Sequence, residues 1–110
     1  MATLTVNNVM KGAGFTSAPV AADVAGDEFV NDGSIMLHVV NGGAGQTVLT
    51  FASVGTIDGL DKADLISTIE AGVVKFIGPF PVGSFNDAAG KVQVAYSVVT
   101  SLTVEAVRLP

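Results

Sequence analysis

Short apolar runs separated by turn residues dominate this 110-residue chain. Six of them follow one another from residue 35 onward: IMLHVV (35–40), QTVLTFA (46–52), LISTI (65–69), VVKFI (73–77), KVQVAYS (91–97) and LTVEAVRL (102–109). Runs of this length, rich in Val, Ile, Thr and Phe and bounded by Gly, Asn, Asp and Pro, predict β-strands. Two segments, 18–25 and 60–69, could be interpreted as helical, but both are too short to form a stable independent helix.

Further short strands are predicted at 3–6, 20–22 and 28–30. About seven to ten strands at a spacing of roughly 8–12 residues are typical of an all-β fold, here an antiparallel, jelly-roll-like β-sandwich. Strands do not alternate with helices along the chain, which argues against a parallel sheet. We therefore expect a single domain spanning 1–110, with residues 1–15 as a short or extended N-terminal arm.

Alternation within the runs assigns side chains to the two faces of each strand. If Ile35, Leu37 and Val39 point into the core, Met36 and His38 point outward. The last two runs divide in the same way. In 91–97, one face carries Val92, Val94 and Tyr96 and the other carries Lys91, Gln93, Ala95 and Ser97. In 102–109, one face carries Leu102, Val104, Ala106 and Arg108 and the other carries Thr103, Glu105, Val107 and Leu109.

Composition excludes several classes of protein. Hydrophobic residues make up 49% of the chain and charged residues 14%, which argues against intrinsic disorder. A net charge of −5, with scattered basic residues, argues against direct binding of nucleic acid. No apolar run is long enough for a transmembrane helix, and residues 1–11 do not read as a signal peptide, so no membrane partner is expected.

Groups with catalytic chemistry are scarce. The chain has one histidine, His38, and no cysteine, which removes thiolate nucleophiles and thiolate metal sites. His38 is interpreted as a surface or interface residue, because a catalytic base needs a partner that orients it. The glycine-rich NGGAGQ at 41–46 lacks the Lys and Ser/Thr of a phosphate-binding loop and is predicted to be a hairpin connection. We therefore expect that the protein is not an enzyme and that it binds no cofactor.

Three aspartates, Asp58, Asp61 and Asp64, form the densest acidic cluster. Their spacing differs from that of a calcium-binding EF-hand loop, and a solvated loop is favoured over a structural cation site. We therefore assign no metal site, and a structural cation bound by these three aspartates remains the alternative.

Two other segments carry apolar anchors beside turn residues. FVNDG (29–33) and FNDAAG (85–90) each place a Phe just before an Asn-Asp turn, which predicts two corners with a core anchor and a side-chain cap. IGPFPV (77–82) should leave the sheet at its prolines and carry Phe80 to the core, the alternative being an exposed knob that docks on a partner.

A chain this small with so many hydrophobic residues should leave apolar side chains outside one core, and such patches mark interfaces. The arm, including Leu4 and Phe15, either reaches over a neighbouring subunit or completes its own sandwich. The candidate interface residues are Leu4, Val6, Met10, Phe15, Met36, His38, Phe80, Val107 and Leu109.

Several of these segments together resemble a known group of proteins. FVNDG with IMLHVVNGGA, then IEAGVVKFIGPFP (69–81), FNDAAGKVQVAYS (85–97) and the final VTSLTVEAVRLP resemble small virion proteins of tailed bacteriophages. The resemblance covers about residues 27–109, and its motifs are turn and strand patterns. Similar proteins are head decoration, or cement, proteins of jelly-roll or related β type, and the shared pattern holds no catalytic residue.

The resemblance implies a virion structural protein on the capsid exterior, synthesised in the host cytoplasm. Its partner would be the major capsid protein, whose expanded lattice it stabilises, and it would act as a homodimer or homotrimer. Two alternatives stay open: another small virion component, such as a tail or connector subunit, and a receptor- or carbohydrate-binding β-sandwich. The latter normally presents aromatic platforms, and this chain has no Trp and one Tyr. A small hydrolase is disfavoured by the missing catalytic groups.

Overall fold

The computed structural model describes residues 2–8, 19–54, 56–57, 60–61 and 63–108. Within them the strands are β1 (Ala2–Thr3), β2 (Val6–Asn8), β3 (Val20–Ala21), β4 (Asp27–Val30), β5 (Ile35–Asn41), β6 (Thr47–Phe51), β7 (Thr56–Ile57), β8 (Leu60–Asp61), β9 (Leu65–Ile69), β10 (Val74–Ile77), β11 (Lys91–Tyr96) and β12 (Leu102–Arg108). One helical turn, α1 (Val82–Phe85), precedes β11.

The main strands form two layers, which confirms the predicted all-β sandwich. Sheet 1 has the order β1-β4-β11-β6-β9, and sheet 2 has the order β10-β5-β12-β2, with β3 also paired to β12. Pairing is antiparallel except for β1 with β4 and β2 with β12. Strands β7 and β8 form a separate small pair.

The core lies between the two layers, where alternate residues of each strand meet. Residues at 0% exposure include Ile35, Leu37 and Val39 from sheet 2 and Leu49 and Phe51 from sheet 1. Burying a side chain of this size contributes roughly 1.5–3 kcal/mol. The inward assignment of β5 from its alternation is therefore confirmed.

The predicted hairpin between residues 35–40 and 46–52 is wrong. Strand β5 belongs to sheet 2 and β6 to sheet 1, so the loop between them crosses from one layer to the other. Asn41 holds this crossing: its Nδ2 donates to the carbonyl oxygens of Gly45 (2.9 Å) and Ile69 (3.0 Å). The amide of Gly42 donates to the carbonyl oxygen of Ser101 at 3.0 Å.

The two Phe-Asn corners pack against each other. Nδ2 of Asn31 donates to Oδ1 of Asn86 (2.7 Å), and Nδ2 of Asn86 donates back to the carbonyl oxygen of Asn31 (2.7 Å). Oδ1 of Asn31 also accepts from the amide of Gly33 (3.0 Å), as a turn cap does. Phe29 is fully buried and Phe85 packs against the core. The predicted anchor and cap at each corner are confirmed, and the two corners form one unit.

Phe80 is a core residue, so its assignment to a partner interface is wrong. It is 1% exposed, and its ring lies 4.9 Å from that of Phe51 and 5.6 Å from that of Phe29. Gly78, at φ +125°, lets the chain turn inward: a Cβ there would lie 3.1 Å from the carbonyl oxygen of Ile35. Nδ2 of Asn31 then fixes the carbonyl of Phe80 at 2.9 Å.

Residues 2–8 complete the sandwich of their own chain. After β1 the chain passes from the edge of sheet 1 to the edge of sheet 2, and Leu4, 5% exposed, packs between them. Leu4 is consequently a core residue in this structure and not an exposed interface residue. Val6 is half-buried and packs against the core.

Candidate functional site

The outer face of sheet 2 is built from alternate residues of three neighbouring strands. Register pairs Phe76 of β10 with His38 of β5, and His38 with Glu105 of β12. The rows on either side complete the surface, which consists of Val74, Phe76, Met36, His38, Val40, Thr103, Glu105 and Val107. We refer to these eight positions as the sheet 2 outer face.

An aromatic stack lies at the centre of this face. The rings of Phe76 and His38 are 4.6 Å apart with an interplanar angle of 12°. Phe76 covers the imidazole, which leaves His38 9% exposed, while Phe76 itself is 57% exposed. On the other side of His38, its Nδ1 lies 3.7 Å from Oε1 of Glu105, too far for a hydrogen bond. The stack thus presents an apolar ring to solvent over a buried polar pair.

The accessible part of the face is apolar along β10 and β5, while Thr103 of β12 is half-buried. Val74 is 55% exposed, and Met36 and Val40 are half-buried. Glu105, the one carboxylate among the eight positions, is 2% exposed. An accessible apolar strip therefore runs along β10 and β5 on a chain whose net charge is −5. We take this strip as the candidate contact surface, because partners bind soluble proteins at exposed apolar surface.

The opposite surface, the outer face of sheet 1, has a polar centre. Oε2 of Glu28 accepts hydrogen bonds from Nζ of Lys91 and from Oγ1 of Thr3, both at 2.9 Å. Nε2 of Gln93 donates to Oε1 of Glu28 at 3.1 Å and to Oδ2 of Asp87 at 2.8 Å. These donors, Lys91 first, lower the pKa of Glu28 from 4.5 to about 2. The two broad faces of the sandwich therefore differ in chemistry.

A charged side chain lies at the side of the sandwich formed by two edge strands, β9 of sheet 1 and β10 of sheet 2. Lys75 pairs in register with the core residue Val39, so it points toward the space between the layers. Its Nζ reaches across and donates to the carbonyl oxygen of Thr68 in β9 at 3.0 Å. An inward-pointing charge at an edge disfavours pairing with strands of other molecules. This edge is therefore a poor place for a further strand to pair.

The structure brings together three of the interface residues predicted from sequence. Met36, His38 and Val107 all belong to the sheet 2 outer face, as their alternation predicts. Val107 is 3% exposed and His38 9%, so the prediction that they are accessible is wrong. Met10, Phe15 and Leu109 lie outside the described residues.

The sequence reasoning missed Val74 and Phe76, the most exposed members of the face. The signal was present in VVKFI, where alternation sets Val74 and Phe76 against Val73 and Lys75. Choosing the outward set required knowing that β10 pairs with β5, because the outward set of this run is the more apolar one.

The acidic cluster proposed for a cation is described in part. Oδ1 of Asp64 accepts hydrogen bonds from the amide (3.0 Å) and hydroxyl (3.3 Å) of Ser53. Asp58 lies outside the described residues, as does the side chain of Asp61. Across the described parts of the chain, no three His, Cys, Asp or Glu residues group in a way that could hold a metal ion.

No protein-family model, curated protein or solved structure matches the chain. In the portion that the structure describes, none of the helices is long and apolar enough to cross a membrane.

Proposed function

We propose that this protein is a virion structural protein that decorates the capsid of a tailed bacteriophage. In this role it binds the lattice of the major capsid protein through the sheet 2 outer face and stabilises the expanded head. The observation that carries the proposal is the exposed apolar strip around Val74 and Phe76, on a β-sandwich whose other broad face has a polar centre. The major capsid protein is proposed as the partner because residues 27–109 resemble small virion proteins.

The size of the strip bears on how the protein binds. The strip spans two strands about 4.8 Å apart, each contributing about 17 Å of length, and presents roughly 160 Å². A stable pairwise interface buries about 800 Å² on each partner, so one copy alone binds weakly. A homodimer or homotrimer that engages several capsid subunits at once gains affinity through multivalency, which suits a protein that spans subunit junctions.

Co-sedimentation with expanded capsids that lack the protein tests the proposal. The test variant is Phe76→Ser, which removes the exposed ring from the centre of the face. The matched control is Ile66→Ser on β9, a residue that is 64% exposed but belongs to the outer face of sheet 1. We expect Phe76→Ser to bind at least tenfold more weakly and Ile66→Ser to bind like the wild type, because truncating a central apolar anchor costs about 2 kcal/mol or more, and tenfold corresponds to about 1.4 kcal/mol.

Thermal unfolding of both variants shows whether the fold is retained. The proposal fails if wild-type protein does not co-sediment with the capsids. If the two variants bind equally, the capsid contact lies elsewhere and the assignment of the sheet 2 outer face is wrong.

A further inference from the structure

Residues 2–8 attach to the rest of the chain in an unusual way. The segment lies parallel to both of its partner strands, with Thr3 opposite Glu28 in β4 and Val6 opposite Ala106 in β12. A parallel pair cannot be closed by a tight turn, so no hairpin ties the segment to its neighbours. Its partners lie about 25 and 100 residues away in sequence, as two of its side-chain hydrogen bonds show.

Few interactions hold this segment in place. It contributes two paired residues to sheet 1 and three to sheet 2. Leu4 is buried, but Thr3, Thr5 and Asn8 are exposed. A cavity of about 180 Å³ opens beside the segment, lined on the other side by Val20 and Val104. The segment therefore packs less completely than β4 and β12, the two strands with which it pairs.

If the segment left, the edges of β4 and β12 would lose their hydrogen-bonding partners and the site of Leu4 in the core would be empty. The chain that fits this place without any change in sequence is the same segment of a second copy. Eleven residues separate Asn8 from Val20, which allows a span of up to about 40 Å. The molecule is 20 Å across in its thinnest dimension, so the segment can reach an adjacent copy.

We propose that in the assembled protein residues 2–8 are exchanged between copies, each segment completing the sandwich of a neighbour. The exchanged and unexchanged forms make the same contacts and differ chiefly in the connection, which makes exchange a low-cost route to oligomers. This inference rests on the self-association in the proposed function and specifies its mechanism. Reciprocal exchange produces a dimer, and cyclic exchange produces a trimer.

Disulfide trapping in the 110-residue chain tests the exchange, because the sequence contains no cysteine that could compete with the introduced pairs. The first variant is Thr3→Cys with Glu28→Cys, whose native side chains are in contact at 2.9 Å. The second is Asn8→Cys with Arg108→Cys, a register pair of β2 and β12 that does not depend on Glu28. The matched control is Thr50→Cys with Ile66→Cys, a pair within the body of sheet 1.

The oligomeric fraction, selected by its mass in light scattering, is oxidised and run on a non-reducing gel. We expect covalent dimers or trimers from the two segment pairs and monomers from the body pair. Ile66→Cys alone measures cross-linking by random collision.

If the oligomeric fraction yields only monomer bands from both segment pairs, exchange is wrong and the proposed self-association stands. A protein that is monomeric at every concentration overturns exchange and self-association together. Capsid binding through the sheet 2 outer face is measured separately by co-sedimentation.

Discussion

Removing the amide of Asn31 should destabilise the fold markedly. Asn31 is 4% exposed, and its side chain makes three hydrogen bonds: to Phe80, to Asn86 and from Gly33. At about 1 kcal/mol for each bond, Asn31→Ala should lower the free energy of unfolding by about 3 kcal/mol. For a domain of this size that corresponds to a fall in Tm of about 12 °C.

A double-mutant cycle with Asn86 tests the reasoning more sharply. Asn86→Ala removes the bond to the carbonyl of Asn31, the shared amide–amide bond, and a longer bond of 3.4 Å to the carbonyl of Gly90, about 2 kcal/mol in all. The shared bond is lost in both single variants but counted once in the double variant. We therefore expect a coupling energy of about 1 kcal/mol.

Urea denaturation of the wild type, the two single variants and the double variant supplies the four free energies. Asn8→Ala is the matched control, since Asn8 is exposed and its Oδ1 accepts a long, 3.4 Å hydrogen bond from Arg108; the variant should change stability by less than about 0.5 kcal/mol. Additive effects of Asn31→Ala and Asn86→Ala, or a cost for Asn31→Ala no larger than that of the control, would refute the argument that the two corners act as one unit.

Three further perturbations have defined outcomes. The hydrogen bonds from Lys91 and its neighbours hold the pKa of Glu28 at about 2 against 4.5, so its contribution to stability is complete above pH 4.5 and is lost as the pH falls toward 2; Glu28→Gln should flatten that part of a urea-denaturation pH profile. Phe80→Ala should cost about 3–5 kcal/mol in thermal or urea unfolding, because three phenylalanine rings pack around the site. Tyr96→Phe removes a 2.6 Å hydrogen bond to the buried Asp27 and should cost about 1–3 kcal/mol in the same assay, a loss near zero counting against the bond. In the wild type, burial raises the pKa of this single tyrosine, so near-ultraviolet absorbance should show no phenolate in the folded protein around pH 10.

Local patterns in the sequence located the strands well. The prediction at 65–69 matches β9, and those at 35–40, 91–97 and 102–109 agree with β5, β11 and β12 to within a residue. This success follows from the period of two residues that pleated strands impose on any half-buried face. The turn α1 was not predicted, because four residues are too few to show a helical period.

Pairing between strands was harder to predict than the strands themselves. A short glycine-rich loop favours a hairpin, yet the loop after Asn41 crosses between the layers because the Asn41 amide binds the carbonyls of Gly45 and Ile69. Those bonds join residues up to 28 positions apart, which a local turn rule does not consider.

The candidate site shows the same boundary between local and long-range information. Alternation placed Met36 and His38 on one face correctly, but their exposure depends on which strand lies beside them. Phe76 covers the imidazole of His38 only because β10 pairs with β5. Likewise, Leu4 is buried because residues 2–8 close the gap between the two sheets.

The Asn41–Gly42 crossing also bears on the chemical ageing of the protein. An Asn-Gly sequence deamidates when the glycine nitrogen attacks the asparagine side-chain carbonyl and closes a succinimide ring. Here the glycine N–H is bound to the carbonyl of Ser101, and the carboxamide of Asn41 is buried and held by two carbonyls. Ring closure therefore has to wait for a local opening of the ends of β5 and β12. The deamidation rate of Asn41 therefore reports how often the sandwich opens locally at the ends of β5 and β12.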